Sequence, residues 1–445
     1  MPAAQSILTV RKLIKFWLPL AATWLMMSIE GPILAALIAR LAEPEFNLAA
    51  YGVAFSFALI IEAPVIMIIS ASTALVKNYD SFIKLRNFTF LLNAIITLLM
   101  LVLLIPQVFF FIAEDLINLP HKVAGLTHTA TIILIPWPGA IGYRRFYQGI
   151  LIRSDLTKRV ALGSVIRIAT MGSTAFLLYF FADIPGVILG ASSLSAAVIM
   201  EAIASRIMAN DSVNKIKTNK NNLPDQLTYK NIFYFYYPLA LTSLIGLGVQ
   251  PLITFFIGQS RMALESLAVL PVVTSFVFIF RALGLSYQDV VIALMGESKA
   301  AFLTLKKFAV ILGILLTLAL SFVAFTPLSE IWFGVVSGLP PNLTSFSRLP
   351  LMIMAIFPAL TLLISFQRGI LVNRNNTRPI TLATILEFSV IMIFLFLFIK
   401  VFALAGAVAG TAALVLGRIS SNIYLTFPTI KAVRNNTASN QNGKK

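Results

Sequence analysis

The chain has 445 residues, of which 59% are hydrophobic and 11% charged, with no cysteine and two histidines, His121 and His128. Its mean hydropathy of +0.91 sets it apart from soluble domains, which run at about 45–50% apolar and 25% charged residues, and the missing thiols exclude disulfides, thiol catalysis and the common zinc and haem ligand sets. The net charge of +17 points to nucleic acid or an anionic surface only if the basic residues cluster outside a membrane topology.

The N-terminus, MPAAQSILTVRKLIKFWLPL, places basic residues before a long apolar run with no small-residue cleavage site behind a short core. It is expected to be retained as a first membrane span. Stretches of about 20 apolar residues, enough to cross a hydrocarbon core, follow one another near 14–40, 48–76, 87–113, 125–152, 160–182 and 185–209. The polar segment NDSVNKIKTNKNNLPDQLTYKN intervenes, and six more apolar stretches lie near 232–258, 264–295, 305–333, 346–372, 379–399 and 402–428. The expected organisation is a 1–209 N-terminal six-helix lobe, a 210–231 cytoplasmic linker, a 232–428 C-terminal six-helix lobe and a 429–445 cytoplasmic polar tail. The fold class is all-α: a polytopic membrane protein whose twelve helices form two parallel six-helix repeats around a central cavity.

Of the 34 Lys and Arg residues, six fall within spans, five in the connections on one side (Arg40, Lys122, Arg261, Arg348 and Lys400) and 23 on the other. Basic loops stay in the cytoplasm, so both termini are expected to be cytoplasmic, in a plasma or bacterial inner membrane. This topology accounts for most of the positive charge, and no nucleic-acid partner is expected.

Sliding the second half over the first exposes a repeat. At an offset of 219, FWLPLAAT (residues 16–23) lies on FYYPLALT (residues 235–242), and Pro32 falls on Pro251. The register runs on without a gap through Ala63 and Ala282. At 220, Pro138 falls on Pro358, the GIL at Gly149 on the GIL at Gly369, and Gly186 and Gly190 on Gly406 and Gly410. Each half holds an even number of spans, so both enter from the same side and the repeat is parallel. Two such bundles can rock to expose a midplane site to either side in turn, with the repeated prolines as candidate hinges.

Ionisable groups at membrane depth cost about 2.5–3.5 kcal/mol on insertion scales and turn toward a bundle interior or a cavity. The spans carry the acids Glu30, Glu62, Glu201, Asp289 and Glu387, and the bases Arg144, Arg145, Arg167, Arg281, Arg368 and Arg418, with no lysine among them. Arginine keeps its charge and offers a planar fork suited to carboxylate or phosphate. Glu62 and Arg281 occupy one repeat position with opposite sign, and Arg167 and Glu387 do the same in the fifth spans. They are either groups of a divided site or ion pairs internal to each lobe. Thr274, Arg281 and Gln288 recur every seven residues, with Gly284 on the same face, as a polar stripe expected to line the cavity. Arg144, Arg145 and Gln148 share one broad polar face of the fourth span. The second repeat has Ile364 and Ser365 where the arginines stand, so the pair is a feature of the N-terminal lobe: an anion lure, a gate pairing with acids such as Glu201, or packing within the lobe.

The candidate substrate-binding residues are thus Arg144, Arg145, Gln148, Arg281, Gln288 and Arg418. The candidates for ion coupling or gating are Glu30, Glu62, Arg167, Glu201 and Glu387. Glu30 and Glu62 stand beside prolines and are the candidates for binding a driving H+ or Na+.

Twelve spans as two six-span repeats, with prolines in the first and seventh, resemble the multidrug/oligosaccharidyl-lipid/polysaccharide flippase superfamily, which includes the multidrug and toxic compound extrusion transporters. Within it, LAAYGVAFSFALIIEAPV (residues 48–65) and YRRFYQGILIRSDLTKRV (residues 143–160) resemble the progressive ankylosis-like branch. The resemblance covers nearly the whole chain. It implies a rocker-switch exporter and, for that branch, an anionic cargo such as pyrophosphate or small carboxylates. The aspartate that cation-coupled members often place in the first span has no counterpart here beyond Glu30.

The expected function is a secondary active transporter that exports an organic anionic or amphiphilic solute, coupled, if at all, to H+ or Na+. The alternative is a flippase for a lipid-linked phosphate or oligosaccharide. An intramembrane enzyme would need clustered acids, a His and acid set, or a nucleophile with its base. The intramembrane acids are scattered singly and there is no phosphate-binding loop with its lysine, so no enzymatic activity is expected. Neither cofactor nor metal is expected, membrane lipid is the surrounding partner, and the protein is expected to be a monomer.

Overall fold

The structure, a computed structural model, describes residues 8–154, 156–218, 227–295, 299–374, 376 and 378–442. Among them, helices are the only regular secondary structure. The spans are α1 (Val10–Ala39), α2 (Pro44–Leu75), α3 (Tyr79–Leu103), α5 (Thr157–Phe181), α6 (Gly186–Thr218) and α7 (Tyr229–Gly258). The series continues with α8 (Ala263–Leu294), α9 (Ala300–Phe325), α10 (Pro341–Asn373), α11 (Arg378–Val401) and α12 (Gly406–Arg434). These eleven are long and apolar enough to cross a membrane. The fourth span, α4, consists of two consecutive helices, His121–Ile133 and Pro136–Arg153; it is as long as its counterpart α10 but more polar, because it carries the arginine pair. The molecule is an integral, multi-pass membrane protein.

Local chemistry sets several of the boundaries. Asn78 caps α3 by accepting from the Ser81 backbone N–H at 2.9 Å, with the Ser81 hydroxyl returning the contact in a capping box. Pro44, Pro136 and Pro341 open their helices, where a missing N–H costs nothing.

The backbone reproduces the sequence repeat in detail. Glu43 (φ 52°) and Met262 (φ 54°), 219 residues apart, both adopt the left-handed conformation, as do Asn118 (φ 64°) and Gly338 (φ 71°), 220 apart. A left-handed residue other than glycine is uncommon, so its recurrence marks a conserved turn shape. A π-helical turn precedes α4 at Phe111–Leu116 and α10 at Ile331–Val336. α2 breaks after Glu62, through a 3-10 turn at Ala63–Val65, before resuming at Ile68; α8 breaks at Ser286 before resuming at Tyr287. By contrast, Pro19 and Pro32 lie inside a continuous α1, and Pro238 and Pro251 inside a continuous α7.

The repeated GIL glycines are close helix crossings. A Cβ built on Gly149 would stand 2.5 Å from Ser72 Cβ and 2.7 Å from the Ile69 carbonyl oxygen, and one on Gly369 would stand 2.7 Å from Val291 Cβ and 3.0 Å from the Gln288 carbonyl oxygen. The second halves of α2 and α8 thereby pack directly onto the backbones of α4 and α10. α4 packs on α6 as α10 does on α12, and α5 on α6 as α11 does on α12.

The chain divides into two compact units, residues 34–268 and residues 1–33 with 269–445. Within the first, α7 docks on the break of α2: the Tyr236 hydroxyl donates to the Pro64 carbonyl, and Ser56 and Thr254 share a hydrogen bond of 2.9 Å. Within the second, α1 does the same to the break of α8. Trp17, the repeat counterpart of Tyr236, donates from Nε1 to the Ser286 hydroxyl at 2.9 Å and sets its ring edge-on to Phe308. The unit of residues 34–268 therefore contains α7, the first span of the second repeat, and the other unit contains α1 as far as Ile33. The division into lobes at residues 209 and 232 rests on the sequence repeat alone.

Candidate functional site

In the unit of residues 34–268, the polar core is organised around Glu201 on α6. The small residues that fill much of α6, Gly190, Ala191, Ser193, Ala197 and Ala202, are buried and let α4 and α5 approach. Glu201 is 1% exposed and forms an ion pair with the Arg144 guanidinium from α4. Gln148, one turn further along α4, donates from Nε2 to the other carboxylate oxygen at 3.1 Å, and Arg167 from α5 brings its Nε to 3.6 Å. One carboxylate thus meets two guanidiniums and an amide. An ion pair taken out of water holds only if its hydrogen bonds are satisfied in this way.

Glu62, also buried, sits where α2 breaks and accepts a hydrogen bond from Trp137 Nε1, at the start of the second helix of α4. Arg145 is half-buried; among the described residues its guanidinium makes no hydrogen bond or ion pair, and its Nε is enclosed without a partner. The unit therefore gathers three arginines against two glutamates.

The second unit answers with an inverted arrangement. Phe357, 1% exposed at the start of the second helix of α10, has two arginines over its ring: the Arg281 guanidinium carbon lies 4.5 Å from the ring centroid and that of Arg418 5.2 Å. Arg281 also donates from Nε to the Thr361 hydroxyl at 3.2 Å, and no carboxylate among the described residues pairs with it. Arg418 on α12 donates from Nε to Glu387 on α11 at 2.7 Å. Arg368 reaches the Thr384 hydroxyl at 3.3 Å.

The repeat relates the two clusters at Glu62 and Arg281, Trp137 and Phe357, and Arg167 and Glu387, while Glu201 falls on Ser421, three residues past Arg418. Glu62 and Trp137 correspond to Arg281 and Phe357, so a carboxylate held by an indole N–H is replaced by a guanidinium held over a ring face, where the quadrupole attracts the cation. Arg167 with Glu201 and Glu387 with Arg418 each join the fifth span of a repeat to the sixth with the signs exchanged. The Arg167–Glu201 and Arg418–Glu387 pairs are internal to their units, whereas Glu62 and Arg281, the other charge-swapped positions, form no ion pair among the described residues.

Other expectations land differently. Gln288 lies past the break at Ser286, on the separate helix Tyr287–Leu294, so the stripe Thr274, Arg281 and Gln288 does not continue along one straight helix. Gly284 and Arg281 face α10, since a Cβ on Gly284 would approach the Leu362 backbone nitrogen to 3.1 Å. Glu30 is half-buried on α1 between its two prolines. Trp137, Phe357 and Thr361 were not singled out by charge or spacing; the available signal was the aromatic residue before each of the repeated prolines, Pro138 and Pro358. Among the described residues, no three His, Cys, Asp or Glu side chains gather as a metal site.

Compared by sequence, the chain matches no protein-family model and no curated protein. Compared by structure, it is similar to an inward-facing multidrug resistance MATE family transporter of the MOP superfamily, with a TM-score of 0.70 at 14% identity over 94% of this chain and 99% of that one. It is similar also to the lipid II flippase MurJ in an inward closed conformation, with a TM-score of 0.68 at 15% identity over 95% of this chain and 90% of that one. A MATE transporter of the same superfamily in an outward-facing conformation gives 0.65 at 13% identity, over 96% of each chain. The chain has the two-repeat, twelve-helix fold of this superfamily.

Proposed function

We propose that the protein is a secondary active transporter that exports an organic anion, or an amphiphile bearing one, by rocker-switch alternating access. The fold supports transport, because similar structures have been captured both inward- and outward-facing. The observation that carries the choice of cargo is Arg281. It is a membrane-embedded guanidinium with two aromatic rings and one hydroxyl for partners and no carboxylate pairing with it among the described residues. Such a group retains its charge and its unfilled donors for an incoming carboxylate or phosphate. Arg145 has the same character in the other unit, and Gln288 and Arg418 complete the substrate set, while Arg144 and Gln148 hold Glu201 in place.

Glu62 and Glu30 are the groups proposed to bind a driving H+ or Na+, and Arg167, Glu201 and Glu387 the gating groups. Both termini are proposed to be cytoplasmic, in the plasma or inner membrane, with the protein acting as a monomer and not as an enzyme. The likeness to MurJ favours a second reading, a flippase for a lipid-linked phosphate, which would require a long apolar groove opening sideways to lipid.

Thermal-shift screening of small carboxylates, pyrophosphate and phosphorylated amphiphiles on purified protein at several pH values, repeated on Arg281→Ala, tests the site. Stabilisation of the parent alone is expected; equal stabilisation of both proteins would remove Arg281 from the site. In proteoliposomes, a Glu62→Gln or Glu30→Gln protein that still responds to an imposed gradient would exclude that glutamate from coupling.

A further inference from the structure

A second site lies away from these clusters, on the surface of the unit of residues 34–268, where α4 and α6 diverge. Gly139, Ala140 and Tyr143 line the α4 side, and Ile199, Ile203 and Ile207 the α6 side, of a cavity of about 530 Å3. Cavities of roughly 300–1,000 Å3 with apolar walls and a few polar groups are those that hold small ligands. Ile203 and Ile207 are 47% and 67% exposed, so the groove is open along its length. The elements packed on α4 and α6 (α2, α3 and α5) belong to the same unit.

Only one end of this groove is polar. Tyr143 and Arg206 line it there, and the Arg206 guanidinium lies 5.1 Å from the Tyr147 ring centroid. Tyr147 contacts Tyr143 at 4.9 Å, Tyr143 stacks on Phe90 of α3 at 5.9 Å, and Arg86 lies over the Phe90 ring at 5.9 Å. Two guanidiniums thus flank a belt of three aromatic rings. Arg206 is half-buried and donates from one nitrogen to Asn210 Oδ1 at 2.9 Å, which leaves further donors in its fork. The basic end belongs to the side that the loop charges assign to the cytoplasm. From Arg206 to Ile199 the helix rises about 10 Å into the apolar layer.

We propose that this groove binds one anionic phospholipid of the cytoplasmic leaflet, its phosphate on Arg206 beside Tyr143 and one acyl chain against Ile203 and Ile199. The polar-to-apolar order along the groove matches a lipid standing in its own leaflet. Guanidinium recognises phosphate through paired N–H donors, aromatic rings favour the headgroup level, and basic pockets between spans on the cytoplasmic side are a recurrent means of holding anionic headgroups. The Arg144–Glu201 ion pair joins the same two helices, so a lipid wedged at their outer edge bears on the spacing of the buried cluster. The proposal does not depend on transport.

Native mass spectrometry of purified protein delipidated and then exposed to mixed micelles of phosphatidylglycerol and phosphatidylcholine tests it. The expected result is one retained phosphatidylglycerol per chain. Arg206→Gln is expected to weaken retention on the order of tenfold or more, as loss of a charged hydrogen bond implies, Arg206→Lys to restore part of it, and Ile203→Trp to abolish it by filling the groove. Lys306→Gln with Lys307→Gln, two exposed lysines elsewhere, serves as the control for general surface charge and is expected to leave it intact. Glycerol 3-phosphate alone is expected to give no thermal shift, which separates lipid from free phosphate. Equal retention of phosphatidylcholine, unchanged retention in both Arg206→Gln and Ile203→Trp, or loss in the lysine control would overturn the proposal.

Discussion

Replacing Glu201 by Gln keeps the shape of the side chain and removes the charge that Arg144 and Arg167 both meet. The Arg144 guanidinium then stays buried without its counter-charge, at a position where the replaced side chain is 1% exposed. Removing one partner of a buried pair costs about 3–5 kcal/mol, because the remaining charge stays desolvated; the intrinsic strength of the pair is a smaller quantity. At about 2–4 °C per kcal/mol for a unit of this size, the melting temperature in detergent is expected to fall by roughly 6–20 °C. The informative companion is Glu201→Gln with Arg144→Met, which removes the stranded charge along with its partner. It is expected to recover at least half of the loss, giving a coupling of about 1–3 kcal/mol in a double-mutant cycle. A fall of less than about 2 °C in the single variant would refute this account of the cluster, as would a double variant that simply adds the two losses.

Other outcomes follow from the same packing. Gly149→Val and Gly369→Val are expected to reduce the yield of monodisperse protein and to lower the melting temperature, each by about 1–3 kcal/mol or more of overpacking, whereas Gly125→Ala, which meets nothing within 4 Å, leaves both unchanged. Phe357→Leu keeps an apolar side chain but removes the ring shared by two guanidiniums, and is expected to lower stability by about 1–4 kcal/mol in thermal denaturation; no change would mean that the arginines do not rely on the ring. His121→Ala breaks a pair with Glu114 whose histidine side chain is 87% exposed, so its effect on melting is expected to stay below about 1 kcal/mol.

The spans and the repeat were legible because both are carried by local pattern: apolar length sets the helices, and matched prolines and glycines set the register. The expected fifth span at 160–182 lies within a few residues of α5, Thr157–Phe181, and the sixth at 185–209 matches Gly186–Met208, the first part of α6, which runs on as helix to Thr218 inside the expected linker. Partner choice was less legible. Glu201 reads as a lone acid in MEAIAS, and its meeting with Arg144 and Arg167 depends on how three helices are rotated about their axes, which small residues such as those of α6 permit without dictating. The Arg281 stripe failed for a related reason. Pro64 announces the break in α2, but its counterpart in α8 occurs at Ser286 with no proline in the surrounding sequence to mark it. Trp137 and Phe357 were hidden because an aromatic residue in an apolar span ordinarily signifies packing, and only its recurrence before Pro138 and Pro358 distinguishes it.

The docking of α1 on the α8 break, and of α7 on the α2 break, has a consequence for the order in which the protein can be made. When the first six spans have left the ribosome, neither unit is complete: the unit of residues 34–268 still lacks Tyr236 to cover Pro64, and α1 has no Ser286 to receive Trp17. The nascent first half must therefore wait in the bilayer with its α2 break uncovered until α7 is inserted, and α1 finds its place only after α8. Chains divided at the connection between α6 and α7 would each lack a helix that their unit needs, and should accumulate only when the two fragments are synthesised together.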